Sequence, residues 1–97
     1  MIKHVVCFKL KDNSPQSCQS AKDVLMSMQG KVPLIRDIYV GIDFLHSERS
    51  FDVILEVLLD DARALDDYQI DPYHADVVKT YMQKVRVDSI TVDYDFD

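Results

Sequence analysis

A strict alternation of side chains over residues 2 to 10 constrains the fold of this chain more than any other feature. Successive side chains of a β-strand point to opposite faces, so a period of two predicts a strand here. One face of that strand is strongly apolar and must be covered by another layer. The histidine on this face, His4, should therefore be covered by the same layer. This face carries Ile2, His4, Val6, Phe8 and Leu10.

The following segment changes from strand to helix periodicity. Ser14 is suited to cap a helix, and Pro15, with its fixed φ and missing N–H, is suited to open one. Apolar residues then recur three, four and seven positions apart, which is the spacing of one helix face. We therefore predict an amphipathic helix over residues 15 to 29, ended by Gly30. Its apolar face consists of Ala21, Val24, Leu25 and Met28.

The rest of the chain reads as two paired strands, two short helices and a last strand. Residues 34 to 44 and 50 to 59 are rich in β-branched and aromatic residues, and a polar connection between them indicates a hairpin. Asp60 is the preferred cap of the next helix, and Asp71 with Pro72 begins another. Alternation then predicts a strand over residues 87 to 95.

This order of elements, βαββ followed by two helices and a strand, predicts the fold class. A single antiparallel sheet of four strands, with the helices on one face, accommodates the order as a ferredoxin-like α+β layer. Ninety-seven residues fit one domain, residues 1 to 97, with no room for a second core.

The other face of the predicted sheet is too apolar for water. Val5, Cys7 and Ile54 would lie on it together with alternate residues of the last strand. Small chains bury a limited fraction of their surface, and two such sheets packed face to face would cover these residues. The sequence therefore predicts a homodimer through the sheet face.

Composition excludes several partners. The formal charge of −6 leaves no broad basic face for a phosphate backbone, so nucleic acid is not expected. No apolar run is long enough to cross a bilayer and the first residues do not resemble a signal peptide, so we expect a cytoplasmic protein without membrane contact.

Cys7 and Cys18 lack the close spacing of redox or zinc motifs and are interpreted as reduced thiols.

The run from Tyr68 to His74 is the main candidate for chemistry. Asp71 and Pro72 start a helix there, so His74 falls in its first turn, where the helix dipole disfavours a second proton on the imidazole. A neutral histidine can act as a base. The alternative is that the ring only hydrogen-bonds a helix end. Helical spacing places His74 on an inward stripe with Val78, Tyr81 and Val85.

Three segments resemble the stress-responsive A/B barrel domain family. They are the opening Met-Ile-Lys-His-Val-Val-Cys-Phe, the central Ile-Arg-Asp-Ile-Tyr-Val-Gly-Ile-Asp-Phe, and Asp-Tyr-Gln-Ile-Asp-Pro-Tyr-His. The resemblance spans nearly the whole chain and implies a dimeric α+β barrel of two ferredoxin-like sheets. The family includes plant stress-induced proteins and a plant polyketide cyclase that works without a cofactor. By this resemblance Tyr68 and His74 would form a catalytic pair, and His4 would line the pocket.

The expected function is binding of an apolar or aromatic small molecule between sheet and helices. The alternatives are a cofactor-independent cyclase or lyase that uses His74 and Tyr68, and a structural or interaction dimer without a ligand. Tyr39 and Tyr81 are further candidates for lining the pocket, although aromatic core residues would look the same in sequence. His4, His46 and His74 lie on separate elements without metal-ligand spacing, so neither a metal nor a cofactor is expected.

Overall fold

The computed structural model describes residues 1–96 and has the predicted order of elements. The four strands are β1 Ile2–Leu10, β2 Asp37–Ile42, β3 Val53–Leu59 and β4 Arg86–Asp95. The helices are α1 Pro15–Met26, α2 Ala62–Ile70 and α3 Lys79–Val85, and a π-helical turn, His74–Val78, leads directly into α3. Within residues 1–96, no helix has the length and apolarity needed to span a bilayer.

The strands form one antiparallel sheet in the order β2-β3-β1-β4, as the ferredoxin-like prediction requires. The central strand β1 places His4 between two cross-strand neighbours, Val57 on β3 and Asp93 on β4. The pairing of β1 with β4 is regular except at Lys9 and Leu10, where a β-bulge shifts the register. The sheet thus brings the first and last strands of the chain together.

Several predicted boundaries are too long. The helix predicted over residues 15 to 29 ends at Met26, and the chain turns through Gly30, whose φ of 82° lies in the left-handed region. The hairpin strands predicted over residues 34 to 44 and 50 to 59 are shorter, because the first begins only at Asp37 and the connection between them spans residues 43 to 52.

The cap assignment of α2 was wrong by one residue. Asp61 is the N-cap, and its side chain accepts a hydrogen bond from the Ala64 N–H at 2.8 Å. Asp60 instead makes a bidentate ion pair with Arg36, at 2.7 Å and 2.9 Å. Two adjacent aspartates present the same capping chemistry, and the position of Arg36 decides between them.

All helices cover one face of the sheet and bury a common core. That face includes His4, Val6, Phe8 and Leu10 of β1, as the alternation predicts. The opposite face, called the outer face below, has no cover within residues 1–96. It exposes Tyr39, Ile90, Val92 and Tyr94.

The π-helical turn changes which residues of the last helix face inward. In this turn the Lys79 N–H bonds to the His74 carbonyl, five residues earlier, so one extra residue enters the turn. Beyond Val78 the inward stripe therefore shifts to Met82, and the predicted Tyr81 and Val85 lie at its edge against the core. Met82 is buried, whereas Tyr81 is only half-buried.

Candidate functional site

A cavity of about 230 Å³ lies between the covered face of the sheet and the segment that runs from the end of α2 to the end of α3. The apolar part of its wall includes Val6 and Leu55 from the sheet, Leu25 from α1 and Met82 from α3. The polar part of its lining comes from both layers and consists of His4, Gln69, His74, Lys79, Gln83, Arg86, Thr91 and Asp93. Apolar side chains combined with converging polar groups are typical of a ligand pocket.

His4 and Asp93 form an acid–base pair at this cavity. The His4 Nδ1 lies 2.5 Å from Asp93 Oδ1, and the two residues are direct cross-strand neighbours. His4 is only 6% exposed, whereas the Asp93 side chain is 40% exposed and lies nearer to solvent. With the Nδ1 proton donated to the carboxylate, Nε2 is the nitrogen left to accept a proton.

The ring of Tyr68 separates the two histidines of the site. Its centroid lies 5.6 Å from that of His4 and 4.4 Å from that of His74. The side chain is fully buried, and its hydroxyl donates to Met28 Sδ at 3.6 Å. Burial raises the pKa of Tyr68 well above its ordinary value, and the charge of Asp71 adds to this effect. Tyr68 therefore contributes its ring to the cavity, while its hydroxyl points to a core sulfur.

His74 is held at the start of its helix by the capping that the sequence predicts. Asp71 Oδ1 accepts hydrogen bonds from the N–H groups of Tyr73 and His74, at 2.9 Å and 3.2 Å. The His74 Nδ1 is buried and has no hydrogen-bond partner within residues 1–96. Burial lowers the pKa of His74, a hydrogen bond to the backbone of Gln69 opposes this, and the charge of His4 lowers it again. The ring is thus mainly neutral at pH 7.

Tyr73, which precedes His74, fastens this segment to α1. Its hydroxyl lies 2.7 Å from Ser27 Oγ, just beyond the end of that helix. Sequence reasoning had no reason to pair residues so far apart in the chain. The contact fixes the position from which His74 enters the cavity.

The cavity brings together three of the five predicted site residues, His4, Tyr68 and His74. Tyr39 lies on the outer face, is 55% exposed, and donates its hydroxyl to Asp37 at 2.7 Å. Tyr81 lines a separate depression near the start of α1, because the π-helical turn rotates it away from His74. These two tyrosines therefore do not join the histidines at one site.

Sequence reasoning missed Lys79, Arg86 and Asp93 at this site. Asp93 shares its alternation with Ser89 and Thr91, an unusually polar set for the covered face of a strand, and this was the available signal. Lys79 gave no signal, since a π-helical turn has no sequence signature that we could read. Within residues 1–96, no group of three or more His, Cys, Asp or Glu side chains converges on a possible metal position.

A comparison with models of known protein families identifies the family of this chain. The model of the stress responsive A/B barrel domain matches residues 2–96, nearly the whole sequence. The chain therefore belongs to the stress responsive A/B barrel domain family. A comparison with curated protein sequences finds no significant match.

Solved structures with the same fold come from bacteria and plants. A dimeric protein of unknown function and ferredoxin-like fold from Bacteroides fragilis is 26% identical, with a TM-score of 0.82, and 98% of this chain and 95% of that chain are covered. A protein from Arabidopsis thaliana is 18% identical over 100% of this chain and 96% of that one, with a TM-score of 0.84. A hydroxynitrile lyase from Passiflora edulis is 13% identical over 99% and 93%, with a TM-score of 0.81. These likenesses confirm the ferredoxin-like fold.

Proposed function

We propose that this protein is a homodimer that binds a small molecule with an apolar or aromatic body in the cavity between its sheet and helices. The cavity carries this proposal, because a pocket of about 230 Å³ that is partly open to solvent lies next to two histidines. A buried polar atom without a hydrogen-bond partner calls for one. His74 lines the pocket, and its buried Nδ1 has no partner within residues 1–96.

The lining suggests how a ligand would be oriented. Val6, Leu25 and Met82 would contact its apolar body, and burial of that body would supply most of the binding free energy. His4 and His74 would contact a polar group on the ligand and fix its direction. This division of roles matches a compact, mainly apolar molecule that carries a hydrogen-bonding group.

Retention of a molecule from the native cell extract tests the binding function. Native mass spectrometry of the purified protein should detect an added mass that disappears on denaturation. Gln83→Trp places a large ring on an exposed residue of the cavity lining and should remove the added mass. The control, Thr80→Trp, changes an exposed residue of α3 outside the lining and should keep it. Absence of any retained molecule in the wild-type protein would favour the structural or interaction dimer.

The dimer is supported by the outer face of the sheet. Exposed apolar side chains occupy it in a band, among them Ile90, Val92 and Tyr94 of β4. Bands of this kind on small domains mark interaction surfaces. The similar structures from Bacteroides fragilis and Thermobifida fusca are described as dimeric. A second copy of this chain, packed sheet to sheet, is the occupant that we propose, within a cytoplasmic protein.

A cofactor-independent cyclase-like or lyase-like enzyme is the second candidate, and the His4–Asp93 pair favours it. His4 Nε2 would take a proton from a carbon next to a substrate carbonyl, and the electron pair of the broken C–H bond would move onto the carbonyl oxygen. The enolate would then attack a second carbonyl group of the substrate, and the imidazolium, stabilised by Asp93, would donate its proton to the resulting alkoxide or exchange it with solvent. Because the Tyr68 hydroxyl contacts Met28 Sδ, this route assigns the proton transfer to histidine without a tyrosine donor.

Proton transfer can be tested without knowing the substrate. The small-molecule fraction of the native extract is incubated in D₂O with the wild-type protein or with His4→Gln, and mass spectrometry follows deuterium uptake and new products. A compound altered only by the wild-type protein supports the enzyme. An identical outcome for both proteins contradicts a catalytic role for His4 and leaves binding as the function.

A further inference from the structure

We propose that the ligand of this cavity is an organic carboxylate, whose single negative charge is bound at the mouth of the cavity by Lys79 and Arg86. This inference rests on the proposed binding function and names the class of ligand. It arises from two features, the π-helical turn and the distribution of charge around the lining.

The π-helical turn is what brings Lys79 to the cavity. The Lys79 N–H bonds to the His74 carbonyl five residues back, so Lys79 lies about one turn further along, on the same side of the helix as His74. Six residues of this segment line the cavity, Lys79 among them. They are His74, Val78, Lys79, Met82, Gln83 and Arg86.

The two cations are available to a ligand. Within residues 1–96, neither Lys79 nor Arg86 lies within 4.0 Å of a carboxylate. Lys79 is exposed and Arg86 is half-buried, so both lie where the cavity opens to solvent. Two unpaired cations on one cavity are notable in a chain whose formal charge is −6.

The charge of the lining limits the charge of the ligand. Asp93 is the only acidic residue among the described residues that line the cavity, and its carboxylate is bonded to His4. Lys79 and Arg86 therefore exceed the acids by one charge. A monoanion balances this excess, whereas a phosphate dianion would be repelled by Asp93. The planar fork of Arg86 also matches a carboxylate in two parallel hydrogen bonds.

A matched pair of probes tests this inference. 2-Naphthoate and 2-naphthamide have the same ring and nearly the same shape, and they differ in charge. NMR titration of the ¹⁵N-labelled full chain gives both dissociation constants, and the amide shifts of His74 and Met82 show whether each probe enters the cavity. We expect 2-naphthoate to bind about tenfold more tightly than 2-naphthamide.

The double variant Lys79→Gln/Arg86→Gln should abolish this preference and leave the affinity for 2-naphthamide unchanged. The control Lys31→Gln/Arg63→Gln removes the same charge from exposed residues outside the cavity, and it should keep the preference. Equal affinity of the wild-type protein for both probes, with cavity shifts, would overturn the carboxylate inference and leave the pocket standing. Failure of both probes to shift His74 or Met82 would contradict the pocket itself and the inference with it.

Discussion

His74 is a half-buried imidazole at a helix start, and its environment favours the neutral form. The folded state lowers its pKa below the ordinary value of 6.5, chiefly through burial. As the pH falls through this range, the unfolded chain binds a proton at position 74 before the folded protein does. The free energy of unfolding contributed by this group is therefore complete above about pH 6.5 and decreases as the pH falls toward the folded pKa.

We predict that His74→Gln makes the stability of the protein less sensitive to acid. Between pH 7 and pH 5, urea unfolding at fixed protein concentration should show a smaller decrease in the free energy of unfolding for the variant. The difference in slope can reach ~1.4 kcal/mol per pH unit for one proton. His46→Gln, in the exposed β2–β3 connection, is the control and should keep the wild-type slope. If the free energy of unfolding had the same pH dependence in His74→Gln and in the wild-type protein, the His74 ring would not be shielded from water.

Tyr68→Phe tests whether the hydroxyl of Tyr68 serves the ligand. The hydroxyl contacts Met28 Sδ in the core, so its removal should change the free energy of unfolding by less than about 1 kcal/mol. The dissociation constant of 2-naphthoate should remain within about twofold of the wild-type value. Tyr73→Phe is the comparison, because it removes the partner of Ser27 Oγ and should cost about 1 kcal/mol. Loss of binding in Tyr68→Phe would show that the hydroxyl turns toward the cavity.

At the residue scale, sequence reasoning finds side chains whose surroundings are local. His74 was placed correctly because its cap, Asp71, is three residues away, and His4 because its strand alternates without interruption. The partner of His4 could not be found in the same way. Asp93 lies 89 positions away, and their contact depends on the register of β4 against β1.

At the element scale, the π-helical turn is the feature that sequence reasoning could not predict. Periodicity assumes a constant number of residues per turn, and one extra residue after His74 rotates everything that follows by about 100°. The order of strands and helices was still predicted correctly, because each element was identified from the spacing of apolar residues within its own segment. The fold was therefore predictable where the cavity lining was not.

Deletion of Val77 should be tolerated. The residue is 45% exposed within the π-helical turn, and its removal would convert the turn to an α-helix while Met82 and Arg86 keep their side of the helix. We expect an unchanged fold by NMR and a free energy of unfolding within about 1 kcal/mol of the wild-type value.

The control deletion is Ser20, an exposed residue of the regular helix α1. Because α1 holds no surplus residue, this deletion would rotate Ala21 and Leu25 away from Cys18 and disrupt their packing. A loss of about 2–5 kcal/mol is expected for each large core side chain displaced. Similar losses for both deletions would mean that the π-helical turn is required for folding.

At the scale of the whole molecule, the sheet has two apolar faces and helices for only one of them. Ile90→Lys places a charge in the band of the outer face and should convert the proposed dimer to a monomer at micromolar concentration. Each protomer would bury one unpaired ammonium group, which should weaken association by more than about 100-fold. Sedimentation velocity measures the change directly.

Ile70→Lys provides the matched control for this experiment. Ile70 is 76% exposed at the end of α2, in the helical layer, whereas Ile90 is 52% exposed on the outer face. The same substitution there should leave the sedimentation coefficient at the wild-type value. A wild-type protein that sediments as a monomer would rule out the dimer regardless of either variant.

The β-bulge at Lys9 and Leu10 has a consequence for both faces. Arg86 pairs with Leu10 and Asp88 with Lys9, so Val87 is an extra residue that reverses the alternation of β4. This reversal explains how Arg86 and Asp93, of opposite parity, both line the cavity. If β4 alternated regularly from Arg86 through Val87, without the bulge, Ile90 and Val92 would face the cavity and Asp93 would face outward. The bulge at Val87 thus places polar side chains of β4, and not its apolar ones, at the cavity.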